Sequence, residues 1–235
     1  MRAIPKAPVL IVAGAGKTGA CVHDLLNERG IATRTVTELS RFARMKGVER
    51  VVLLSGRGEP IAQRAEAVLQ ASGIPWTSVR TNWLSQNFSE GYLLDGVLAG
   101  EIALPAPAST IREPFTDAND IADVVVAALT YERHANRTYE VTGPRALTFS
   151  EAVDEIAAGL GRPVRYVQIA PEDFVISLRA YVAENVVQLL REFFTIARDG
   201  RHTQVAHGVE EVLGRPARDF SNYVRDAIAA GTWSI

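Results

Sequence analysis

Val9-Leu10-Ile11-Val12-Ala13-Gly14-Ala15-Gly16-Lys17-Thr18-Gly19 is a short apolar run that stops at three glycines and opens into a helical pattern over residues 21–29. A buried strand, a glycine turn and a helix start are the parts needed to hold a pyrophosphate on backbone N–H groups. Gly14, Gly16 and Gly19 have the GxGxxG spacing. In it one glycine makes the tight turn, one lets the backbone approach phosphate, and one lets helix and strand pack closely. Val22, Leu25 and Leu26 give the following helix an apolar face, Gly30 stops it, and Ile31 to Val36 reads as a second strand. Glu38 then follows at about the 20-residue separation expected of an acid that hydrogen-bonds ribose hydroxyls. The sequence therefore predicts a dinucleotide site on Gly14, Gly16, Lys17, Thr18, Gly19 and Glu38. The plainer alternatives are a strand-to-helix turn that binds nothing and, for Glu38, a helix cap or a solvated surface acid. Lys17-Thr18 imitates the end of a GxxxxGK[ST] loop, but that pattern needs glycine where Ile11 stands, so a nucleoside triphosphatase is not expected.

The remaining chain alternates strand and helix patterns. After a helical stretch from Glu38 to Lys46, Val51-Val52-Leu53-Leu54-Ser55 is a continuous apolar run of the kind buried on both faces of a parallel sheet. Ile61 to Ser72 reads as a helix closed by Gly73, Trp76 to Arg80 as the next strand, and Asn82 to Gly91 as an aromatic-bearing loop. Leu93 to Ala99 is expected to be helical and Glu101 to Leu104 a strand, followed by a proline-punctuated loop. Asp120 is read as the N-cap of a helix over Ile121 to Leu129, and Arg137 to Thr142 as a strand. Thr148-Phe149-Ser150-Glu151 is a capping box opening a further helix, Val164 to Ile169 is strand-like, and Pro171 to Arg198 is helical in one or two pieces. Two short helices complete the tail. This order predicts an α/β fold: a doubly wound parallel Rossmann core over residues 1–145, to whose smaller partner lobe residues 82–114 contribute, and a mainly helical C-terminal lobe over 146–235.

Composition narrows the function classes. A formal net charge of -2 over 235 residues, with interspersed signs, gives no basic footprint for nucleic acid. The longest apolar runs are strand-sized, which predicts no membrane span, and Met1 to Pro8 does not read as a signal peptide, so a cytoplasmic location is expected. Cys21 is the only cysteine, so no internal disulfide can form. The four histidines lack HxxxH or HExxH spacing, and no metal site is predicted.

Several further stretches resemble the NmrA-like group of atypical short-chain dehydrogenases. These are Val51 to Gly56, Ser72-Gly73-Ile74-Pro75-Trp76-Thr77-Ser78-Val79-Arg80, Glu113-Pro114-Phe115-Thr116-Asp117 with Asp120-Ile121-Ala122, Tyr139 to Pro144, and Gly214-Arg215-Pro216 with Phe220. The resemblance implies NAD or NADP laid across the carboxyl ends of the strands, with Ser55, Gly56 and Thr81 bordering the nicotinamide side. Ser55 and Asn82 are then candidates to polarise an acceptor carbonyl during hydride transfer. Ser55 reads alternatively as a strand-end residue capping a turn. Trp83, Asn87, Phe88 and Tyr92 are candidate walls for an aromatic or quinone-like substrate, although Trp83 and Phe88 each read better as core. Arg112 could hold a substrate anion or sit in a solvated loop.

Two departures from that family pattern stand out. The usual YxxxK proton relay is absent, since the only lysines are Lys6, Lys17 and Lys46, and none has a tyrosine four residues before it. Arg57 and Arg64 are poor substitutes because arginine stays charged. Residues 36–50 leave room for one helix only, so either the sheet lacks one βα unit and with it a wall of the adenine pocket, or a segment is omitted from this sequence. Glu38 would repel a 2'-phosphate, which leans the cofactor toward NAD, while Arg34 and Arg41 offset it. The sequence thus predicts an NAD(P)H-dependent reductase of a conjugated carbonyl or quinone. A non-catalytic dinucleotide sensor and an accessory protein without ligand are the alternatives, with a homo-oligomer possible.

Overall fold

The computed structural model describes residues 10–13, 31–90, 92–179, 182, 184–197, 200 and 202–234. Its elements in chain order are β1 (Leu10–Ala13), α1 (Ile31–Met45), β2 (Val51–Gly56), α2 (Pro60–Gln70), β3 (Trp76–Thr81), α3 (Tyr92–Ala99), β4 (Glu101–Leu104) and β5 (Arg112–Glu113). They continue with α4 (Ala118–Thr130), β6 (Arg137–Glu140), β7 (Leu147–Thr148), α5 (Phe149–Leu160), β8 (Arg165–Gln168), α6 (Pro171–Arg179), α7 (Glu184–Ala197), α8 (Gly208–Leu213) and α9 (Phe220–Ala229). Short 3-10 turns occupy Ser85–Phe88 and Glu132–His134. The chain divides into two compact units. One holds residues up to Thr81 with 119–141 and 208–215, and the other holds 82–118, 142–207 and 216 onward.

The first unit is a parallel sheet in the order β1-β2-β3-β6, flanked by helices. The strand β2 is apolar because both of its faces are covered: Val51, Val52 and Leu53 are all buried. The expected strand Ile31 to Val36 is instead the start of α1, so among the described residues no strand lies beyond β1. Its β-branched residues suggested extension, yet Val36, Ser40 and Ala43 recur at helical spacing and are buried. A propensity penalty of at most about 0.7 kcal/mol per residue is outweighed by burying such a face. The helix α4 begins two residues before the expected cap, and Asp120 sits inside its first turn. Its carboxylate accepts from Arg215 at 2.7 Å, and Arg215 also reaches Asp123 at 2.7 Å, which ties α8 to α4.

A buried histidine–tyrosine pair lies at β6. Arg133 Nε donates to His134 Nε2 at 3.1 Å, which leaves the proton on Nδ1 to be donated to the Tyr139 hydroxyl at 2.9 Å. Burial, reinforced by Arg133, Arg50 and Arg137, pushes His134 below its ordinary value. A base depressed in the folded state stabilises the fold fully above its unfolded value of about 6.5 and loses that contribution as pH falls below it. Unfolding free energy measured between pH 7.5 and 5.5 is expected to decline, and His134→Gln to flatten that slope. An equal slope in both proteins would refute the assignment.

The second unit is built around one aromatic core. Trp83, Phe88, Phe115, Phe149, Phe174, Phe194, Phe220, Tyr223 and Trp233 belong to a single buried cluster, mostly in edge-to-face or tilted contact. Such pairs add about 0.5–1.5 kcal/mol each beyond area burial. The capping box is formed as the sequence predicts: Glu151 N–H donates to Thr148 Oγ1 at 3.0 Å and Thr148 N–H to Glu151 Oε2 at 2.8 Å. A Cβ on Gly143 would overlap the Phe115 carbonyl oxygen, so Thr142-Gly143-Pro144 can close against residues 114–115 only with glycine. Among the described residues no helix is long and apolar enough to cross a membrane.

Candidate functional site

The carboxyl ends of β2 and β3 lie in register, Ser55 beside Arg80 and Gly56 beside Thr81. Side chains alternate along a strand, so Ser55 shares a face with Val51 and Leu53, which pack in one cluster with Ala65 and Leu69 of α2. Ser55 is 2% exposed and its hydroxyl has no hydrogen-bond partner among the described residues. Gly56 opens the turn into α2, where an added Cβ would run into the Glu59 carboxylate. Thr81 is buried at the end of β3. The structure thus brings Ser55, Gly56 and Thr81 to one sheet end. Gly14, Gly16, Lys17, Thr18 and Gly19 lie outside the described residues.

Beneath that sheet end runs an ion network absent from the sequence reading. Arg80 donates to Glu66 at 2.5 and 2.9 Å and reaches Glu140 at 3.5 Å, and Arg57 donates to Glu140 at 2.8 Å. The Glu66 side chain is 2% exposed and that of Arg57 is 9% exposed. The hydrogen bond to Glu66 leads the causes that hold Arg80 above its ordinary value. Arg57 is therefore engaged with Glu140, and this bond anchors the turn after Gly56. One signal for this network was present in the sequence: Glu66 stands within the apolar stripe Ala62, Ala65, Leu69, where an unpaired acid has no place.

In the second unit the segment after β3 zips against residues 115–118. Thr116 N–H donates to the Trp83 carbonyl and Ser85 N–H to the Thr116 carbonyl, both at 2.9 Å. The Gln86 amide clamps the pair, donating to Asp117 at 3.0 Å and accepting from Ala118 N–H at 2.9 Å. This pairing turns Trp83 and Phe88 into the aromatic core, at 9% and 0% exposure. Phe88 is therefore a packing residue with no surface left to line a pocket. Asn82 behaves differently: its amide nitrogen and oxygen are both buried, and neither finds a partner among the described residues. Asn87 is half-buried in the 3-10 turn, and Tyr92 opens α3.

Arg112 forms a two-point ion pair with Glu151, at 2.8 and 2.9 Å, and donates to the Ala146 carbonyl. Together with the Thr148 backbone, it holds Glu151 below the usual carboxylate range. Its forked donors are thus committed within the unit. Glu38 stands in α1, paired with Arg41 at 2.9 Å on an exposed helix surface, and not at the end of a strand. No cluster of histidine, cysteine and carboxylate side chains suited to a metal occurs among the described residues.

Comparison with known proteins extends these observations. The model of the NmrA-like family matches residues 63–224, more than half of the chain. An NAD(P)H azoreductase of Xenophilus azovorans is 34% identical over 163 residues, covering 69% of this chain and 56% of that protein. The chain spans a little over half the length of the curated relatives it matches. Among solved structures, the Citrobacter sp. triphenylmethane reductase complexed with NADP(H) superposes with a TM-score of 0.73 at 18% identity, covering 95% of this chain and 78% of that one. NmrA, a negative transcriptional regulator, in complex with NAD superposes with a TM-score of 0.61 at 16% identity, covering 87% and 72%. The parallel sheet, the glycine-rich start and the matched residues 63–224 agree: this chain belongs to the NmrA-like family.

Proposed function

We propose that the chain is an NAD(P)H-dependent reductase of a conjugated carbonyl, quinone or azo-type aromatic compound. One observation carries the reading: Asn82, directly after the carboxyl end of β3, keeps both amide atoms buried without a partner among the described residues. Leaving such a group unsatisfied costs about 1–3 kcal/mol, a cost that a bound ligand would offset. The Ser55 hydroxyl at the end of β2 is likewise without a partner among the described residues, and the cofactor of the proposed reaction is a nicotinamide nucleotide. Gly14 to Gly19 would hold its pyrophosphate, and when bound it supplies the hydride. Relatives and fold neighbours that use NAD(P)H, NADP(H) or NAD support a nicotinamide cofactor and leave the choice between NAD and NADP to experiment.

In this reading Asn82 orients the acceptor and donates a hydrogen bond to the oxygen or nitrogen on which negative charge grows. Ser55 sits deeper, on the α2 face, and positions the turn at Gly56. Because the chain has no YxxxK pair, the proton comes from solvent. The test titrates the purified chain with NADH and NADPH, then offers benzoquinones and azo dyes. Gly16→Val is expected to abolish cofactor binding. Asn82→Ala is expected to lower acceptor reduction about a hundredfold while leaving cofactor affinity and thermal stability unchanged, since it removes an unsatisfied group. Lost stability with unchanged turnover would show that Asn82 is structural. The missing lysine favours a second reading, a dinucleotide sensor without turnover, and binding of either cofactor with no oxidation by any acceptor would establish that one.

A further inference from the structure

We propose that a cavity inside the second unit, between α6 and α7, is a binding subsite for a single-ring aromatic carboxylate. The cavity holds about 190 Å³ and is lined by Pro105, Pro171, Glu172, Phe174, Arg191, Phe194 and Thr195. An apolar cavity on the order of 150 Å³ accepts one benzene ring, so the space suits one ring with a small substituent. Its floor is built: Phe174 and Phe194 are each 2% exposed and meet edge to face at 5.1 Å, and Phe194 also packs on Trp83 at 5.1 Å. Its wall at Pro105 is fixed, because the Tyr166 hydroxyl donates to the Ala106 carbonyl and Ile169 N–H to the Leu104 carbonyl at 3.1 Å.

Charge selects the ligand. Arg191 is among the residues lining the cavity, and its guanidinium makes no hydrogen bond or ion pair among the described residues, whereas Arg179, Arg112 and Arg145 in the same unit are all paired with carboxylates. A planar guanidinium above an apolar floor recognises a carboxylate by two parallel N–H···O bonds. Glu172 reaches the cavity from the other helix and does not pair with Arg191. A carboxylate can only accept hydrogen bonds, so the favoured ring carries a donor such as a phenol together with its acid. Glu184, which bridges α6 and α7 through Arg179 at 3.0 Å and holds Gln188 at 2.8 Å, keeps the two helices together. If the reductase reading holds, this subsite would take an aromatic-acid substituent of the quinone or azo acceptor, whose reducible group lies outside the cavity, and in that respect it rests on that reading. Occupancy of the cavity does not.

Calorimetric titration of the cofactor-free chain with 4-hydroxybenzoate, and with phenol as the acid-free control, tests the subsite. Saturable binding of 4-hydroxybenzoate with a Kd below about 1 mM is expected, at least about tenfold tighter than phenol. Arg191→Leu, at an exposed helix position, is expected to erase that difference, and Thr195→Phe to block both ligands. No saturable binding, or binding that neither substitution alters, would overturn the proposal. Because no nicotinamide is present, a chain that fails to reduce any acceptor can still pass, and one that reduces quinones can still fail.

Discussion

Phe88→Ala is expected to destabilise the chain by about 3–5 kcal/mol, the cost of emptying a large aromatic site in a close-packed core. Phe88 is fully buried, packs on Phe115 at 5.5 Å and Phe220 at 5.6 Å, and offers its carbonyl to Trp233 Nε1 at 2.9 Å. Truncation would leave the two aromatic rings of Phe115 and Phe220 facing a void too apolar for water to fill. Against a typical total of 5–15 kcal/mol this is a large fraction, and it should appear as a lowered midpoint in urea denaturation with little change in slope. A residue lining a substrate pocket would behave in the opposite way, with weaker substrate binding and nearly unchanged stability. A loss below about 1 kcal/mol would return Phe88 to the pocket wall.

That contrast shows which parts of the molecule were legible in the sequence. The strand β2 is marked by its apolar run, β3, β4 and β6 by short β-prone stretches between turn residues, and the α5 start by its capping box, because each signal is local. The segment Ile31 to Val36 misled because its β-branched residues speak locally for extension, whereas its fate is set by the buried helical face that continues through Ala43. The site divides along the same line. Asn82 and Ser55 could be singled out as polar residues at strand ends. The commitments of Arg112 to Glu151 and of Glu38 to Arg41 depend on side-chain neighbours, one of them 39 positions away. Arg57, Glu66, Arg80 and Glu140 could not be assembled from spacing, since three separate elements and a turn contribute them.

Arg80→Met is expected to cost about 3–5 kcal/mol, because it leaves the Glu66 carboxylate buried without its cation. The geometry makes the pair strong only as a pair. Arg80 approaches Glu66 through two nitrogens, and the acid's side chain is 2% exposed against 25% for the arginine. Glu66→Leu should therefore be the milder change, since Arg80 keeps solvent and Glu140 while the α2 stripe gains a continuous apolar row. The double variant should recover most of the loss, as buried ion pairs replaced by apolar groups of similar volume are often neutral or stabilising. A double-mutant cycle by urea denaturation reads this as a coupling energy of at least about 2 kcal/mol. Additive effects of the two substitutions would place the pair among exposed ion pairs worth under about 1 kcal/mol. The stable double variant then isolates position from stability. Glu140 retains Arg57 at 2.8 Å but loses Arg80, so an undiminished cofactor affinity would assign the anchoring of the turn after Gly56 to the Arg57–Glu140 bond alone.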